Sequence, residues 1–435
     1  MNSPLSIIIL AAGKGTRMKS SKQKVLQKIA NREMVLHVIA MCNRLNYKKI
    51  FIVLGKNNSE IKNILPKNVE IIIQENQLGT AHALLCAKNK LKNQNGKLLI
   101  LYADVPFLES STIKKLINKN EDNISMLGFE CKNPKGYGRI ILKNKKVFKI
   151  VEEKNLHSSD KNISLCYSGI FSGNIKTIFR LLSNVKKNKV KEEFLLTDIF
   201  GLANRNNITT YLITTNEMEV MGINNMLQLS LAEEYYQDKL RNKFLKKGIM
   251  LQLPNTIYFS YDTKIGSNVK IGAHNYFGVS VTIKNKVNIG NSCNVEEATI
   301  FEGASIGPFS RIRNNSIIFD NAKIGNFVEM KNSKLGKNSK VNHLAYIGDT
   351  TIGNNTNIGA GTITCNYDGK KKHRTIIGSN VFIGSNTSLI APIKIADKAF
   401  IAAGSTISEN LNTEDFSIAR AKQKIIKKGR KRFLK

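Results

Sequence analysis

A six-residue period of aliphatic side chains constrains the second half of the chain more than any other feature. The residues that keep intervals of six are Ile312, Ile318 and Ile324, and then Ile377, Ile383, Leu389, Ile395, Ile401 and Ile407. An α-helix cannot use this period, and a hairpin meander would not keep it for so long. The hexapeptides predict a parallel β-helix in which these side chains point inward and stack from coil to coil.

A β-helix of this kind needs compact turns and a cap. Three hexapeptides make one triangular coil of about 18 residues, and Gly, Asn and Ser recur at the expected turns. The ends of a solenoid expose strand edges, so a covering element is expected. A helix is predicted over Asn225–Lys247, ending at Gly248, with an apolar stripe of Leu227, Leu231, Tyr235 and Leu240. This helix is expected to cap one end of the β-helix.

The first half, up to about residue 225, alternates short apolar runs with helical patterns. Continuous apolar strands are buried on both faces, which favours a parallel sheet between helices and a doubly wound α/β fold. The predicted strands are Leu5–Leu10, Ile50–Leu54, Ile71–Ile73 and Leu98–Tyr102, and the predicted helices are Met34–Arg44 and Ala81–Leu91. The predicted domains are therefore 1–224, a linker helix over 225–248, and the β-helix over 249–435.

Composition limits the classes of partner and compartment. The 435 residues carry a net charge of +35, but the lysines are spread along the chain. A general drift in composition therefore explains this charge better than nucleic-acid binding does. The six cysteines show no zinc spacing or disulfide framework, which fits a reducing cytoplasm. We expect no signal peptide, and no apolar run approaches the roughly 20 residues that a membrane helix needs.

Two features of the first half point to phosphate chemistry. The first predicted strand runs into a small-residue loop, Leu10–Met18, in which backbone N–H groups with Lys14 and Arg17 could cradle a polyphosphate. Neither the Walker A nor the dinucleotide spacing is present, and a simple tight turn is the alternative. Asp104 follows the strand Leu98–Tyr102, where it could hold Mg²⁺ or cap the turn at Pro106.

The motifs of both halves together resemble one family. The matching stretches are Leu10–Met18, Lys24–Leu26, Gln77–Thr80, Gly136–Ile140, Val151–Glu152, Gly222–Asn225, Gly325–Lys331 and Gly359–Gly369. They resemble the bacterial bifunctional N-acetylglucosamine-1-phosphate uridyltransferases/glucosamine-1-phosphate N-acetyltransferases, over nearly the whole chain. The resemblance implies a Rossmann-like α/β nucleotidyltransferase domain followed by a left-handed parallel β-helix, assembled as a homotrimer in the cytoplasm.

For the first half, the resemblance implies a site for UTP and UDP-N-acetylglucosamine with Mg²⁺. Its implied residues are Leu10, Ala11, Ala12, Gly13, Lys24, Gln74, Gly79, Thr80, Tyr102, Ala103, Asp104, Gly138, Glu152, Tyr167 and Asn224. Asp104 and Asn224 are the implied metal ligands. Two positions depart from the family pattern: Ala103 replaces a Gly, and Tyr167 replaces an Asn, which is expected to weaken sugar recognition.

For the β-helix, the resemblance implies acetyl transfer with His343 as the base. A near-neutral imidazole suits deprotonation of an amine before it attacks a thioester. The implied residues for the amino-sugar phosphate are Arg313, Lys331, Tyr346 and Asn357, and those for acetyl-CoA are Ala360, Asn366, Tyr367, Ser385, Ala403 and Arg420. Cys365 is not expected to be a nucleophile, because direct transfer to an amine needs none.

Two rival functions remain open from the sequence. The first is a single-function sugar-nucleotide pyrophosphorylase whose β-helix only oligomerises or regulates. His343 with Asn366 and Tyr367 argues against it, since an inert solenoid has no use for that set. The second is a basic solenoid that binds nucleic acid. A salt-dependent shift with arbitrary DNA would support the second, whereas the spread of the charge does not.

Overall fold

The computed structural model describes residues 4–13, 15–56, 58–118, 123–144, 146–188 and 192–432. The chain forms two compact units, Met1–Ala232 and Glu233–Lys435, and the division falls within one long helix. In the part of the chain that is described, no helix is both long and apolar enough to cross a bilayer.

The first unit is a sheet flanked by helices. Its strands are β1 (Leu5–Leu10), β2 (Lys28–Ile29), β3 (Arg32–Glu33), β4 (Lys49–Gly55), β5 (Val69–Gln74), β6 (Lys97–Tyr102), β7 (Ile124–Glu130), β8 (Arg139–Lys143), β9 (Lys146–Val151), β10 (Leu165–Asn174) and β11 (Thr210–Thr215). Its helices are α1 (Met34–Cys42), α2 (Ser59–Ile64), α3 (Thr80–Leu85), α4 (Lys88–Leu91), α5 (Ser110–Ile117), α6 (Ile175–Leu182) and α7 (Asp198–Arg205), and α8 (Met226–Lys246) crosses into the second unit.

The main sheet has the order β11-β7-β10-β6-β1-β4-β5, with β8 and β9 attached beside β10. The four predicted strands form the parallel run β6-β1-β4-β5, whose residues are buried because helices cover both faces. β10 runs antiparallel to β6 and β7, so the sheet is mixed. The carboxyl ends of β1 and β6 lie side by side, and they place the Leu10–Gly13 loop next to Tyr102–Asp104.

One predicted helix of the first unit is wrong in its extent. The segment Ala81–Leu91 is two helices, α3 and α4, rather than one. The backbone N–H of Ala87 donates to the carbonyl of Leu84 at 3.1 Å, a three-residue step that tightens the turn between them. The periodicity of apolar residues persists through this turn, so the sequence pattern did not reveal it.

The second unit is a parallel β-helix with three sheets. The first sheet contains Met250–Leu251, Lys270–Ile271, Asn288–Ile289, Ser305–Ile306, Lys323–Asn326, Lys340–His343, Asn357–Ile358, Phe382–Ile383, Phe400–Ile401 and Phe416–Ser417. The second contains Tyr258–Phe259, Tyr276–Phe277, Asn294–Val295, Arg311–Arg313, Glu329–Lys331, Tyr346–Gly348, Ile363–Cys365, Ser388–Ile390 and Thr406–Ile407. The third contains Lys264–Ile265, Val281–Ile283, Ala298–Ile300, Ser316–Ile318, Lys334–Leu335, Thr350–Ile352, Thr375–Ile377 and Ile393–Ile395.

The inward stacking of the hexapeptide aliphatics is confirmed. All nine residues of the six-residue series are at most 3% exposed. They pair in register with their equivalents in the next coil, as Ile358 does with Ile383 and Ile383 with Ile401. Asparagines occupy many turns with positive φ, such as Asn338 (59°) and Asn380 (57°), a conformation that Asn tolerates better than most residues.

The C-terminal half of α8 covers the first coil, as predicted. Gln237 is buried, and its side chain both donates to the carbonyl of Phe259 at 2.8 Å and accepts from the Phe259 N–H at 2.9 Å. Phe244 packs on Phe259, with 4.8 Å between ring centroids. The helix ends at Lys246, and Gly248, two residues later, has φ 79°. The backbone of Phe259 at the edge of the first coil is therefore hydrogen-bonded by the helix, and its ring is covered by Phe244.

The predicted apolar stripe of α8 is wrong in part. Leu227 and Leu231 are 72% and 48% exposed, and Tyr235 is partly buried, whereas Leu240 is buried. The buried face is instead formed by Ala232, Gln237, Leu240 and Phe244. This face leaves no apolar pattern in the sequence, because its central residue, Gln237, is polar and hydrogen-bonds to backbone groups of the first coil.

We predict that inward and outward positions of one strand respond very differently to truncation. Ile377 is 2% exposed and its neighbour Ile376 is 47% exposed. Ile377→Ala is expected to destabilise the β-helix by about 2–5 kcal/mol, because it leaves a cavity in the stacked column. Ile376→Ala should change stability by less than about 0.5 kcal/mol. The midpoints of urea unfolding of the two variants provide the measurement, and equal losses would contradict the inward column.

Candidate functional sites

The first candidate site is a cavity of about 470 Å³ in the first unit. Its lining includes ten of the residues that the resemblance implied: Leu10, Ala11, Ala12, Gly13, Lys24, Gln74, Gly79, Thr80, Tyr102 and Asp104. It lies at the carboxyl ends of β1 and β6, where ligands bind in open α/β sheets. Lys14, which was also expected to contact phosphate, lies outside the described residues.

Cationic and oxygen-bearing side chains meet at the polar end of this cavity. The Lys24 ammonium forms an ion pair with the Asp104 carboxylate and donates to Asn224 Oδ1 at 2.8 Å. Arg17 also donates to Asn224 Oδ1 at 2.8 Å. The backbone N–H of Ile223 donates to the carbonyl of Asp104 at 3.0 Å, which fixes the Asn224 segment against the end of β6.

This donor set fits Mg²⁺. Asp104 and Asn224 turn oxygen atoms toward one cation, the Lys24 ammonium, and hard oxygen donors are what Mg²⁺ takes. Clusters of three or more His, Cys, Asp or Glu side chains suited to a metal are absent from the described residues. One carboxylate and one amide suffice for Mg²⁺ only when substrate phosphates and water complete its shell, so these residues suit a metal that arrives with a phosphate substrate.

The opposite end of the cavity is shaped by backbone and amide groups. Gln74 is buried, and its Nε2 donates to the carbonyl of Gly79 at 3.1 Å and lies 3.0 Å from His82 Nδ1. Gly79 has φ 104°, and a Cβ there would lie 2.6 Å from the carbonyl oxygen of Phe194. Glycine is therefore required at this turn, where the backbone lies beside the Gln74 amide.

Tyr102 and Glu152 add a polar wall in the same unit. The Tyr102 side chain hydrogen-bonds to Thr80, and burial, with the charges of Asp104 and Glu152, raises the pKa of its phenol. Glu152 accepts from the Thr197 hydroxyl at 3.0 Å. The Tyr102 hydroxyl consequently stays protonated at neutral pH and can donate a hydrogen bond.

The two departures from the family pattern are packed into the core. Ala103 is 1% exposed and belongs to a hydrophobic cluster on one face of the sheet. Tyr167 is 7% exposed; its ring meets Phe200 edge-on at 5.2 Å, and its hydroxyl donates to the carbonyl of Gly169 at 2.9 Å. Gly138 lies behind it, with its carbonyl accepting from the Tyr167 N–H at 2.9 Å. The Tyr167 hydroxyl thus donates within its own strand, β10.

Four residues that line the cavity were not among those expected from the sequence: Val25, Gln77, Ala83 and Glu193. Gln77 donates to the carbonyl of Ala12 at 2.6 Å, and Glu193 also borders the cavity. Gln77 belongs to the matching stretch Gln77–Thr80, so that motif could have revealed it. Glu193 stands in no motif, and only the fold brings it to the cavity.

The second candidate site lies on one corner of the β-helix. His343 Nδ1 is 2.7 Å from Asn326 Oδ1 in the coil before it. With an amide oxygen as its partner, Nδ1 carries the proton, and Nε2 keeps its lone pair. His343 is exposed, so that lone pair is accessible for taking a proton from a substrate.

The same corner carries four of the residues implied for acetyl-CoA: Ala360, Ser385, Ala403 and Arg420. Backbone hydrogen bonds link successive coils there: Gly361 N–H to His343 O at 3.3 Å, Asn386 N–H to Ala360 O at 2.7 Å, and Gly404 N–H to Ser385 O at 2.7 Å. Arg420 then donates to the carbonyl of Ala403 at 2.7 Å. The corner therefore forms a continuous column from His343 to Arg420.

Cationic groups gather where strands of the second sheet end. Arg313 and Lys331 are register partners, and Arg313 pairs with Glu329 at 2.7 Å. A hydrogen bond with the neighbouring Lys372 lowers the pKa of Lys331, and the charges of Lys372 and Arg313 act in the same direction. Two amino groups in contact are stable only beside an anion or with one of them neutral, so this cluster suits a phosphate.

The remaining implied residues adjoin these groups. Tyr346 pairs in register with Glu329, and its hydroxyl and the Asn366 amide both lie over Gly348, each within 2.7 Å of where a Cβ there would stand. Asn357 lies in the strand next to Lys340–His343, and it pairs in register with Lys340. The fold thus places Tyr346 and Asn357 near the base and the cationic cluster.

A loop over residues 366–374 leaves the coil beside this cluster. Tyr367 is 61% exposed, and its hydroxyl donates to the carbonyl of Gly369 at 2.7 Å. Asp368 accepts from the N–H groups of Lys370 and Lys371 and from His373 Nε2, which lies at 2.6 Å; these bonds hold its pKa well below the usual range. Lys372, which sequence reasoning missed, is presented to Lys331 by this loop.

We predict that Lys372→Met raises the pKa of Lys331 toward its ordinary value. The neutral side chain removes the competing amino group that disfavours the charged form of Lys331. An NMR titration of isotope-labelled lysine measures this shift. Lys337→Met is the matched control, because Lys337 pairs with Asp320 at 3.1 Å on another corner. If Lys331 titrated identically in both variants, the two amino groups would not be neighbours in solution.

Comparison with known protein families matches each unit. The MobA-like NTP transferase domain matches residues 7–149, the GMPPB C-terminal domain matches residues 259–343, and the bacterial transferase hexapeptide matches residues 374–409. Together with the parallel coils, these matches confirm the predicted class, a Rossmann-like nucleotidyltransferase unit followed by a left-handed β-helix.

Curated relatives match nearly the whole chain. Bifunctional protein GlmU of Sphingopyxis alaskensis is 40% identical over 433 residues, covering 99% of this chain and 96% of the relative. Bifunctional protein GlmU of Zymomonas mobilis is 42% identical over 429 residues, covering 97% and 95%. Bifunctional protein GlmU of Bartonella bacilliformis is 40% identical over 428 residues, again covering 97% and 95%.

Proposed function

The chain belongs to the family of bifunctional GlmU proteins, and we propose that it catalyses two reactions in the synthesis of UDP-N-acetylglucosamine. The β-helix transfers the acetyl group of acetyl-CoA to glucosamine 1-phosphate. The first unit then transfers UMP from UTP to N-acetylglucosamine 1-phosphate and releases pyrophosphate. The observation that carries the proposal is that each unit holds its own charged site, built from different residue types.

In the first unit, the chemistry is alignment and charge neutralisation. The phosphate oxygen of the sugar attacks the α-phosphorus of UTP, and the bond to pyrophosphate breaks without a covalent enzyme intermediate. Gln74 and the Gly79 backbone hold the uridine, while Lys24 and Arg17 offset the charge of the phosphates. Asp104 and Asn224 would hold Mg²⁺, which supplies further neutralisation of phosphate charge when bound.

In the β-helix, His343 acts as the base. Its Nε2 takes a proton from the amino group of glucosamine 1-phosphate as the nitrogen attacks the thioester carbon, and the thiolate of CoA leaves. The hydrogen bond from Nδ1 to Asn326 fixes the tautomer that leaves Nε2 free. Arg313, Lys331 and Lys372 hold the sugar phosphate, and the column from Ala360 to Arg420 holds acetyl-CoA.

A product assay tests the proposal as a whole. The purified chain is given acetyl-CoA, glucosamine 1-phosphate, UTP and Mg²⁺ together, and each component is then omitted singly. UDP-N-acetylglucosamine should form from the complete mixture and should not form when any one component is omitted. In a separate reaction, N-acetylglucosamine 1-phosphate should substitute for acetyl-CoA and glucosamine 1-phosphate together. A chain that used only N-acetylglucosamine 1-phosphate would be the single-function pyrophosphorylase.

We predict that point mutations separate the two activities. His343→Ala should remove most acetyl transfer, a loss on the order of 10²–10⁴-fold for a general base, and leave uridyl transfer intact. Asp104→Ala should do the reverse, because it removes the carboxylate that pairs with Lys24 and would hold the metal. Each activity is assayed alone with its own substrates. A folded variant that lost both activities would contradict two independent sites.

We also predict that the active form is a homotrimer. Phe309, Phe327 and Leu344 are 51%, 56% and 62% exposed and lie in successive coils on the corner that carries His343. An apolar stack of this kind beside a polar site supports burial against another copy. Sedimentation should give about three times 48.6 kDa, and Leu344→Glu should reduce both that mass and acetyl transfer. A fully acetylating monomer would contradict the prediction.

We place both reactions in the cytoplasm. The six cysteines are free, as expected in a reducing compartment, and the substrates are small phosphorylated metabolites. The lysines behind the net charge of +35 are spread along the chain, so the proposal includes no nucleic-acid partner.

A further inference from the structure

One carboxylate beside the acetyl-transfer site has partners that the proposed reaction does not yet use. Asp349 follows the strand Tyr346–Gly348 and occupies a turn with φ 50°. Its Oδ2 accepts from the Asn366 amide at 2.5 Å, and its Oδ1 accepts from the Asn332 amide at 2.5 Å. Both oxygens are thus engaged by amides from two other segments of the β-helix.

The chemistry of this contact fixes the orientation of Asn366. An ionised carboxylate only accepts hydrogen bonds, so the NH₂ end of the Asn366 amide must face Asp349. The amide oxygen of Asn366 is then turned away from Asp349, and the side chain lies beside the Tyr346 hydroxyl above Gly348. Asn366 is 6% exposed, so water competes little with Asp349 for its amide.

The same carboxylate acts on the cationic cluster. The charge of Asp349 favours the protonated form of Lys331, against the opposing influence of Lys372 and Arg313. The backbone N–H of Asp349 donates to the carbonyl of Lys331 at 3.0 Å, which holds the two residues in neighbouring coils. Asp349 therefore contacts the amide implied for acetyl-CoA and lies within electrostatic reach of the groups proposed to bind the sugar phosphate.

We propose that Asp349 is a positioning residue for acetyl transfer, which orients the amide of Asn366 toward acetyl-CoA and tempers the positive charge of the phosphate-binding cluster. The inference rests on the proposed acetyltransferase function. The two roles are expected to change KM for acetyl-CoA and KM for glucosamine 1-phosphate in different directions. A residue with only a structural role would not do this.

Asp349→Asn tests the proposal in the full-length protein. The variant removes the charge and lets the new amide turn either end toward Asn366, so KM for acetyl-CoA should rise on the order of tenfold, as for loss of one good hydrogen bond. KM for glucosamine 1-phosphate should stay the same or fall, because the cationic cluster loses its negative neighbour. Asp320→Asn, which removes a carboxylate from another corner, is the matched control and should leave both KM values unchanged.

A double-mutant cycle separates positioning from folding. If Asp349 acts through Asn366, the double variant Asp349→Asn/Asn366→Ala should have the same KM for acetyl-CoA as Asn366→Ala alone. Independent, additive losses would overturn the proposal. So would an Asp349→Asn variant whose two KM values are unchanged, or one in which both rise together with a lower thermal midpoint.

The wild-type protein distinguishes this inference from the function on which it rests. If the wild-type chain does not acetylate glucosamine 1-phosphate, the proposed function fails and the positioning role fails with it. If the wild type acetylates and Asp349→Asn behaves like Asp320→Asn, only the positioning role is wrong.

Discussion

In-register stacking of the coils positions most of the groups that we propose for acetyl transfer in the β-helix. Each strand pairs in parallel with the strand one coil later, so residues about one coil apart in sequence become neighbours. This brings Asn326 to His343 and Arg313 to Lys331, although a whole coil of chain separates the members of each pair. The close stacking leaves no room for a side chain at some positions. A Cβ at Gly325 would lie 1.9 Å from the carbonyl oxygen of Asn342 in the next coil. The geometry of the site is therefore as rigid as the stack of coils beneath it.

The insertion of a loop without a change of register allows this rigid stack to acquire new side chains. Val341 pairs with Ile358, 17 residues later, whereas Ile358 pairs with Ile383, 25 residues later. The extra residues form the loop over 366–374, and the inward aliphatic column continues across it. Because the loop departs from a fixed corner, its Lys372 can reach a lysine of the second sheet. The proposed site thus combines a column of residues linked by backbone hydrogen bonds with one short loop.

The sequence was sufficient to predict the parts of the structure that depend on strict periodicity. The inward aliphatics, the parallel strands β6-β1-β4-β5 and the capping helix follow from spacing and apolar patterning. It was not sufficient for contacts that depend on which polar groups find partners. Gln237 is buried because it bonds the backbone of Phe259, and Lys372 matters because a loop bends it toward another lysine. No local pattern encodes either contact, since both partners come from distant coils or helices.

The same distinction explains why the β-helix carries many exposed lysines. A strand of two or three residues in this β-helix pairs an inward aliphatic with an outward neighbour, and the inward position tolerates little change. The outward position packs against no core, so a lysine there costs little stability, and drift in composition can accumulate. Lysines at exposed outward positions are Lys264, Lys270, Lys323, Lys334, Lys340 and Lys394. They are distributed over the first and third sheets, whereas the cationic groups of the proposed site lie at the edge of the second sheet and in its loop. The exposed lysines of the β-helix and the cationic groups of the proposed site therefore have different origins: the first occupy positions that pack against no core, and the second lie where we propose that a sugar phosphate binds.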